Sequence, residues 1–216
     1  MLYRRDPRWL IFLSRWLGWM AIPNLAIVLI ALQAGSYLIS LTDPRWTGQI
    51  ILIPDLVWRG EIWRLVSFLA IPISRSPLGL IFSLWFGFSI INSIEDEWGS
   101  FKTTFYLFIS VLLTILFSLT FDYTVLSVAG FGTTLFLAAA TLFPENQIQI
   151  YFMPVKMKVL GFIAGAFTLY EFVQGSWMDR FFLLVIYANY ILFFGPLLVY
   201  QIKEWKRRND YKSRWR

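Results

Sequence analysis

Trp63-Arg64 and, some thirty residues on, Ile94-Glu95-Asp96-Glu97-Trp98-Gly99-Ser100 bracket an uncharged apolar run from Leu78 to Ile94; a second run, Thr103 to Phe121, follows almost at once. An uncharged apolar stretch of about 17 to 25 residues is what a helix needs to cross a ~30 Å hydrocarbon core. The acids between the two runs belong at a water boundary. Outward from this pair the same pattern recurs at Ile22 to Leu41, Val125 to Phe143, Val159 to Tyr170 (to Gln174 if Glu171 lies at the interface) and Phe181 to Ile202. The reading is an all-α integral membrane protein of six transmembrane helices, because backbone facing lipid must satisfy its hydrogen bonds internally.

Composition agrees with that class. Hydrophobic residues make up 58% of the 216-residue chain and charged residues 15%, well under the roughly one-quarter charged fraction of a soluble domain. Cysteine is absent, which excludes disulfides, thiolate metal sites and cysteine nucleophiles. Residues 1–19 mix Arg4, Arg5, Arg8 and Arg15 with aromatics and carry no small-residue cleavage site, so the first span is expected to be a retained anchor.

Charge sets an expected orientation. With six spans, Arg4, Arg5, Arg8, Arg15, Lys102, Lys156, Lys158 and the bases of residues 203–216 share one side, while Arg45, Arg59, Arg64, Arg75 and Arg180 fall on the other. The excess of Lys and Arg marks the cytoplasmic face, so both termini are expected inside. The division is then a membrane domain over 1–202 and a basic cytoplasmic tail over 203–216, suited to anionic lipid headgroups at about 1 kcal/mol per base. Membrane lipids are the expected partner of this tail, and nucleic acid is not. The first loop, about residues 42–77, is too polar to span at Asp43, Arg45, Asp55, Arg59, Glu61 and Arg64, yet rich in Trp46, Trp58, Trp63 and Ile50 to Ile53. Tryptophan interleaved with charge suits a long interfacial loop. The stretch from Pro144 to Pro154 is expected to lie extended along the inner surface, with prolines stopping the helices at its ends.

Three separated motifs resemble the rhomboid superfamily, in the family's order and with bacterial-type loops. Gly60 to Ser67, with Trp63-Arg64, looks like its first loop; Leu84-Trp85-Phe86-Gly87 leading to Glu95 and Trp98-Gly99-Ser100 looks like the end of its second helix and the turn into the third; Leu142 to Lys158 is similar to the loop before its fifth. The resemblance covers residues 60–166 and implies a six-helix rhomboid-like bundle in a bacterial inner membrane.

The catalytic positions do not transfer. The family's serine lies in Gly-x-Ser-Gly at the start of the fourth helix, and here Gly130-Phe131-Gly132-Thr133 places Gly132 at that position. The oxyanion donors on the second helix correspond to Gly79 and Ser83, and the base on the sixth falls within Ile186 to Tyr190, in a chain with no histidine. A hydroxyl needs a neighbour that takes its proton near neutral pH; Thr133 and Ser127 have none evident in the sequence. The same absence of histidine removes His-Glu-x-x-His zinc chemistry, and no metal or other cofactor is expected. The catalytic positions Gly79, Ser83, Gly130 and Gly132 are accordingly vestigial, and the small residues at Gly79, Gly130 and Gly132 are expected to leave a cavity between the second, fourth and sixth helices.

The resemblance thus implies a pseudoprotease, not an enzyme, that binds or escorts transmembrane client proteins, as the Derlin and inactive-rhomboid branches are thought to do. The alternatives are a structural or assembly subunit of a membrane complex and an intramembrane serine protease with an unconventional site. Other residues have packing readings beside functional ones. Arg64 fits hydrogen bonds to loop carbonyls or, with Trp63, a substrate-facing edge; Glu95 fits a helix-end cap or an acidic docking patch. Gly161 and Gly165, at small-x-x-x-small spacing, fit close helix approach, and Asn24, Gln33, Asn92 and Asn189 fit interhelical hydrogen bonds.

Overall fold

The computed structural model describes residues 8–150 and 153–214 and is about 80% helical. A short amphipathic helix α1 (Arg8–Leu17) and a 3₁₀ turn (Gly18–Met20) precede α2 (Leu25–Thr42). The long connection that follows holds three one-turn helices, α3 (Trp46–Ile50), α4 (Pro54–Trp58) and α5 (Arg64–Ser67), then a 3₁₀ turn at Phe68–Ala70. Next come α6 (Pro77–Trp98), α7 (Ser100–Phe121), α8 (Ala129–Leu142), strands β1 (Gln147–Ile150) and β2 (Met153–Lys156), α9 (Met157–Gln174) and α10 (Trp177–Arg214). Helix thus forms in each of the six apolar runs. Four of these helices, α2, α6, α7 and α10 over Trp177–Glu204, are long and apolar enough to cross a membrane.

Differences from the expected boundaries have local causes. The first span begins at Leu25 because Asn24 takes a left-handed conformation (φ 56°), with its N–H donating 3.0 Å to Glu95 Oε1. The run expected from Val125 yields only a 14-residue helix from Ala129, because Val125 is drawn into an isolated bridge with Leu52 and buried beside Val128. The stretch after Pro144, expected to lie extended, pairs with itself as an antiparallel hairpin, Gln147 opposite Lys156; Tyr151 and Phe152 fall outside the described residues. Its base is tied by the Glu145 carboxylate, which accepts from Lys156 Nζ (2.8 Å) and Lys158 Nζ (2.5 Å). Those two ammonium groups hold Glu145 down at about 2, so both ion pairs are made throughout the neutral range.

Two apolar clusters organise the molecule. The first fills the bundle around Ile94, Trp98, Tyr106, Phe193 and Phe194. The second lies under the long connection, where Ile50, Leu52, Val57 and Phe68 meet Val125, Val128 and Phe131. Sequence hydropathy made this connection an interfacial loop; its burial against the α7–α8 turn makes it a cap with a core of its own.

The glycine pair on α9 separates into two roles. A Cβ on Gly161 would stand 2.6 Å from Ala140 Cβ on α8, whereas one on Gly165 would meet nothing within 4 Å. Close approach of α8 and α9 therefore depends on Gly161. Gly161→Val should lower stability by about 2 kcal/mol, the usual scale of overpacking, and Gly165→Val should leave it near wild type; thermal unfolding in detergent compares the two.

Candidate functional site

The turn from α6 into α7 is closed by residues that the sequence already singled out. Gly99 sits at φ 88°, ψ 152°, a conformation reserved almost wholly for glycine. Its N–H donates 2.8 Å to the Glu95 carbonyl, and the Glu95 carboxylate accepts from Ser100 Oγ at 2.6 Å. Beside them Trp98, 4% exposed, lies against Phe194 (ring centroids 4.9 Å apart), Phe193 (5.7 Å) and Tyr106 (6.2 Å). Glu95 thus caps two elements and Trp98 anchors α6 to α7 and α10.

Arg64 organises the cap at the other end of the bundle. It is 4% exposed; Nη1 donates to the carbonyls of Gly48 (2.8 Å) and Ile51 (2.7 Å), and Nε donates to Glu61 Oε2 (2.7 Å). One planar fork therefore joins α3, the turn before α4 and the start of α5, a geometry that lysine cannot reproduce. Trp63 next to it is exposed. Nearby, burial and the carboxylate of Asp179, which accepts its hydroxyl proton at 2.8 Å, push Tyr123 up to about 12.

The four positions Gly79, Ser83, Gly130 and Gly132 are not gathered around one gap. A Cβ on Gly79 would strike Ser74 Oγ and Ser76 Oγ, since Gly79 N donates to the capping Ser76 hydroxyl in the first turn of α6. A Cβ on Gly130 would come within 3.2 Å of Ile186 Cδ1 on α10. Only Gly132 and Ser83 border open space, a cavity of about 370 Å³ walled mainly by α2, α6 and α8, with Leu107 of α7. The expected cavity between the second, fourth and sixth helices is corrected to one between the first, second and fourth, with no wall residue from α10. The sixth helix leaves no gap there because it packs on α8 through Ile186 and on α7 through Asn189, which is fully buried with Nδ2 donating to Tyr106 O (3.0 Å) and Ser110 Oγ (2.6 Å).

The cavity wall is almost wholly apolar; its polar members are Gln33, Ser83 and Thr133. Two of them are turned back on the backbone: Ser83 Oγ donates to Leu80 O (2.9 Å), and Thr133 Oγ1 donates to Gly130 O (3.0 Å) and Ala129 O (3.2 Å). Ser127 Oγ accepts from Ala129 N at 3.1 Å. Each of these hydroxyls has a local packing role, and none contacts a carboxylate or lysine in the hydrogen bonds above. Among the described residues no group of three acidic, His or Cys side chains could hold a metal ion. Leu69 and Ile73 from the long connection also line the cavity. Sequence reading missed them because apolar loop residues give no sign of which helix gap they roof.

Comparison with family models, curated proteins and solved structures returns no match.

Proposed function

We propose that this chain is a non-catalytic, rhomboid-like membrane protein of six spans, with both termini cytoplasmic in a bacterial inner membrane, that binds transmembrane segments of client proteins laterally. The observation that carries the reading is the position of Gly132, the residue in the nucleophile's place: it faces an apolar cavity at a helix start, in a chain without histidine. A cavity bordered by Phe82, 53% exposed on α6, suits the apolar side chain of a helix approaching from the lipid. The cap held by Arg64 and the turn held by Glu95 and Gly99 support the family resemblance, since both put quoted motif residues to structural use. The reading includes lipids around the bundle and along the basic end of α10, and no nucleic acid. A structural role draws support from α10, whose 38 residues extend ~57 Å at 1.5 Å per residue, well past a ~30 Å hydrocarbon core.

Photocrosslinking from a probe at residue 132 in native membranes, read by mass spectrometry, tests the client reading. Reproducible capture of a protein with one or a few spans is expected; capture of only lipid or of the chain's own helices would remove it and leave the structural role. Gly132→Leu should reduce client capture about tenfold while the protein remains extractable and monodisperse. Gly132→Ser should give no cleavage of a single-span substrate, because a serine supplied alone has no base.

A further inference from the structure

The cavity beside Gly132 is not isolated. Towards the end of the bundle that carries the long connection it adjoins a second recess of about 610 Å³, and Ile73 belongs to both walls. On α2 Gln33 lines the first space and Tyr37, one turn on, the second; before and at the start of α8, Val128 and Ala129 line the first and Leu126 and Ser127 the second. Chemically the two spaces differ. The inner one is nearly all hydrocarbon, while the outer one is bordered by Tyr37, Ser40, Thr47, Ser74, Ser127 and Arg75. Arg75 is the one cation in the recess wall; it makes no ion pair in the described residues, and its carbonyl accepts from Tyr37 Oη at 3.5 Å.

An apolar pocket that shares its Ile73 wall with a recess carrying hydroxyls and an unpaired guanidinium has, taken together with it, the polarity of an amphiphile. A cavity of about 150 Å³ is enough to take benzene, so the inner space of about 370 Å³ accommodates a length of alkyl chain. Gln33 interrupts the apolar wall of α2, where an alkyl chain would pass it on the way to the recess. We propose that the two spaces form one binding site for an anionic single-chain amphiphile, its alkyl chain lying beside Gly132 and its carboxylate or phosphate head at Arg75 and the recess hydroxyls. Guanidinium binds both head types through paired N–H donors. The site needs no client polypeptide, and its test contains none.

Native mass spectrometry of the full chain, purified in an uncharged detergent and titrated separately with oleate, oleoyl lysophosphatidylglycerol and oleyl alcohol, decides the matter. Saturation at one adduct is expected with oleate, the lysophospholipid or both, which also tells whether a fatty acid or a membrane-lipid fragment is the source; oleyl alcohol should bind at least tenfold more weakly. Gly132→Leu, whose Cβ meets nothing within 4 Å, projects its isobutyl group into the inner space and should weaken the adduct at least tenfold. Arg75→Gln leaves the cavity intact and should weaken it about tenfold while removing the preference over the alcohol. Ile73→Trp, at the shared wall, serves if the leucine variant does not fold. Adducts that accumulate without saturating, or that are unchanged in Gly132→Leu (or Ile73→Trp) and Arg75→Gln, overturn the proposal. The client reading stands or falls separately, on protein capture from residue 132.

Discussion

Arg64→Leu lowers the free energy of unfolding by about 3 to 5 kcal/mol, because two carbonyls lose hydrogen bonds to a charged donor worth about 1.5 to 3 kcal/mol each. The guanidinium satisfies the carbonyls of Gly48 and Ile51 and the Glu61 carboxylate, and leucine leaves all three without their donor. The carbonyls carry most of the loss. Glu61, a third exposed on its side chain, recovers hydration, whereas each carbonyl loses a charged donor, a bond worth about 1.5 to 3 kcal/mol. Arg64→Lys should recover only part of the stability, because an ammonium cannot span carbonyls on two sides and a carboxylate at once. Glu61→Gln should cost about 1 kcal/mol, since the carbonyl bonds survive. Reversible unfolding in bicelles measures the series, and proteolysis of residues 43–76 reports whether the cap opens first. Equal losses for Arg64→Leu and Glu61→Gln would show that the ion pair, not the carbonyl clamp, holds the cap.

Trp98→Ala should cost a similar amount, about 3 to 5 kcal/mol by the usual scale for a large buried aromatic. Its indole fills the space enclosed by Tyr106, Phe193 and Phe194, which come from α7 and α10 and cannot close over a methyl group. Between helices in lipid, dispersion contacts of this kind are the main attraction, so a void forfeits them outright. Trp98→Phe discriminates. The indole Nε1 has no hydrogen-bond partner, so phenylalanine gives up only part of the contact area and should cost about 1 kcal/mol. A loss for Trp98→Phe as large as for Trp98→Ala would mean that the N–H has a partner in the membrane and that packing is not what Trp98 supplies.

Several elements were legible in the sequence because they depend on local rules. Apolar runs of membrane-crossing length located the helices, since lipid leaves the backbone no other way to satisfy its hydrogen bonds. Gly99 marked the α6–α7 turn because a positive φ selects glycine by sterics alone. Other elements depended on distant partners. The start of α8 moved from Val125 to Ala129 because Leu52, far away in the chain, pairs with Val125. Gly161 and Gly165 occur at one spacing, yet only the first meets a neighbouring helix, because the distance to Ala140 depends on how α8 lies against α9.

The same division runs through the candidate site. The absence of histidine and the glycines at 79, 130 and 132 were readable directly, since they are facts of composition and order. The place of the cavity was not. Gly79 and Gly130 lack side chains just as Gly132 does, but Ser74 and Ser76 close over one and Ile186 over the other. A missing side chain opens space only where no neighbour fills it, and neighbours are set by packing. Sequence by itself determined the helices, the turn at Gly99 and the absence of histidine and cysteine, because each follows from residue chemistry and local backbone sterics. Tertiary structure alone decided that α2 rather than α10 walls the cavity and that Leu69 and Ile73 line it, because those are contacts between segments far apart in the chain.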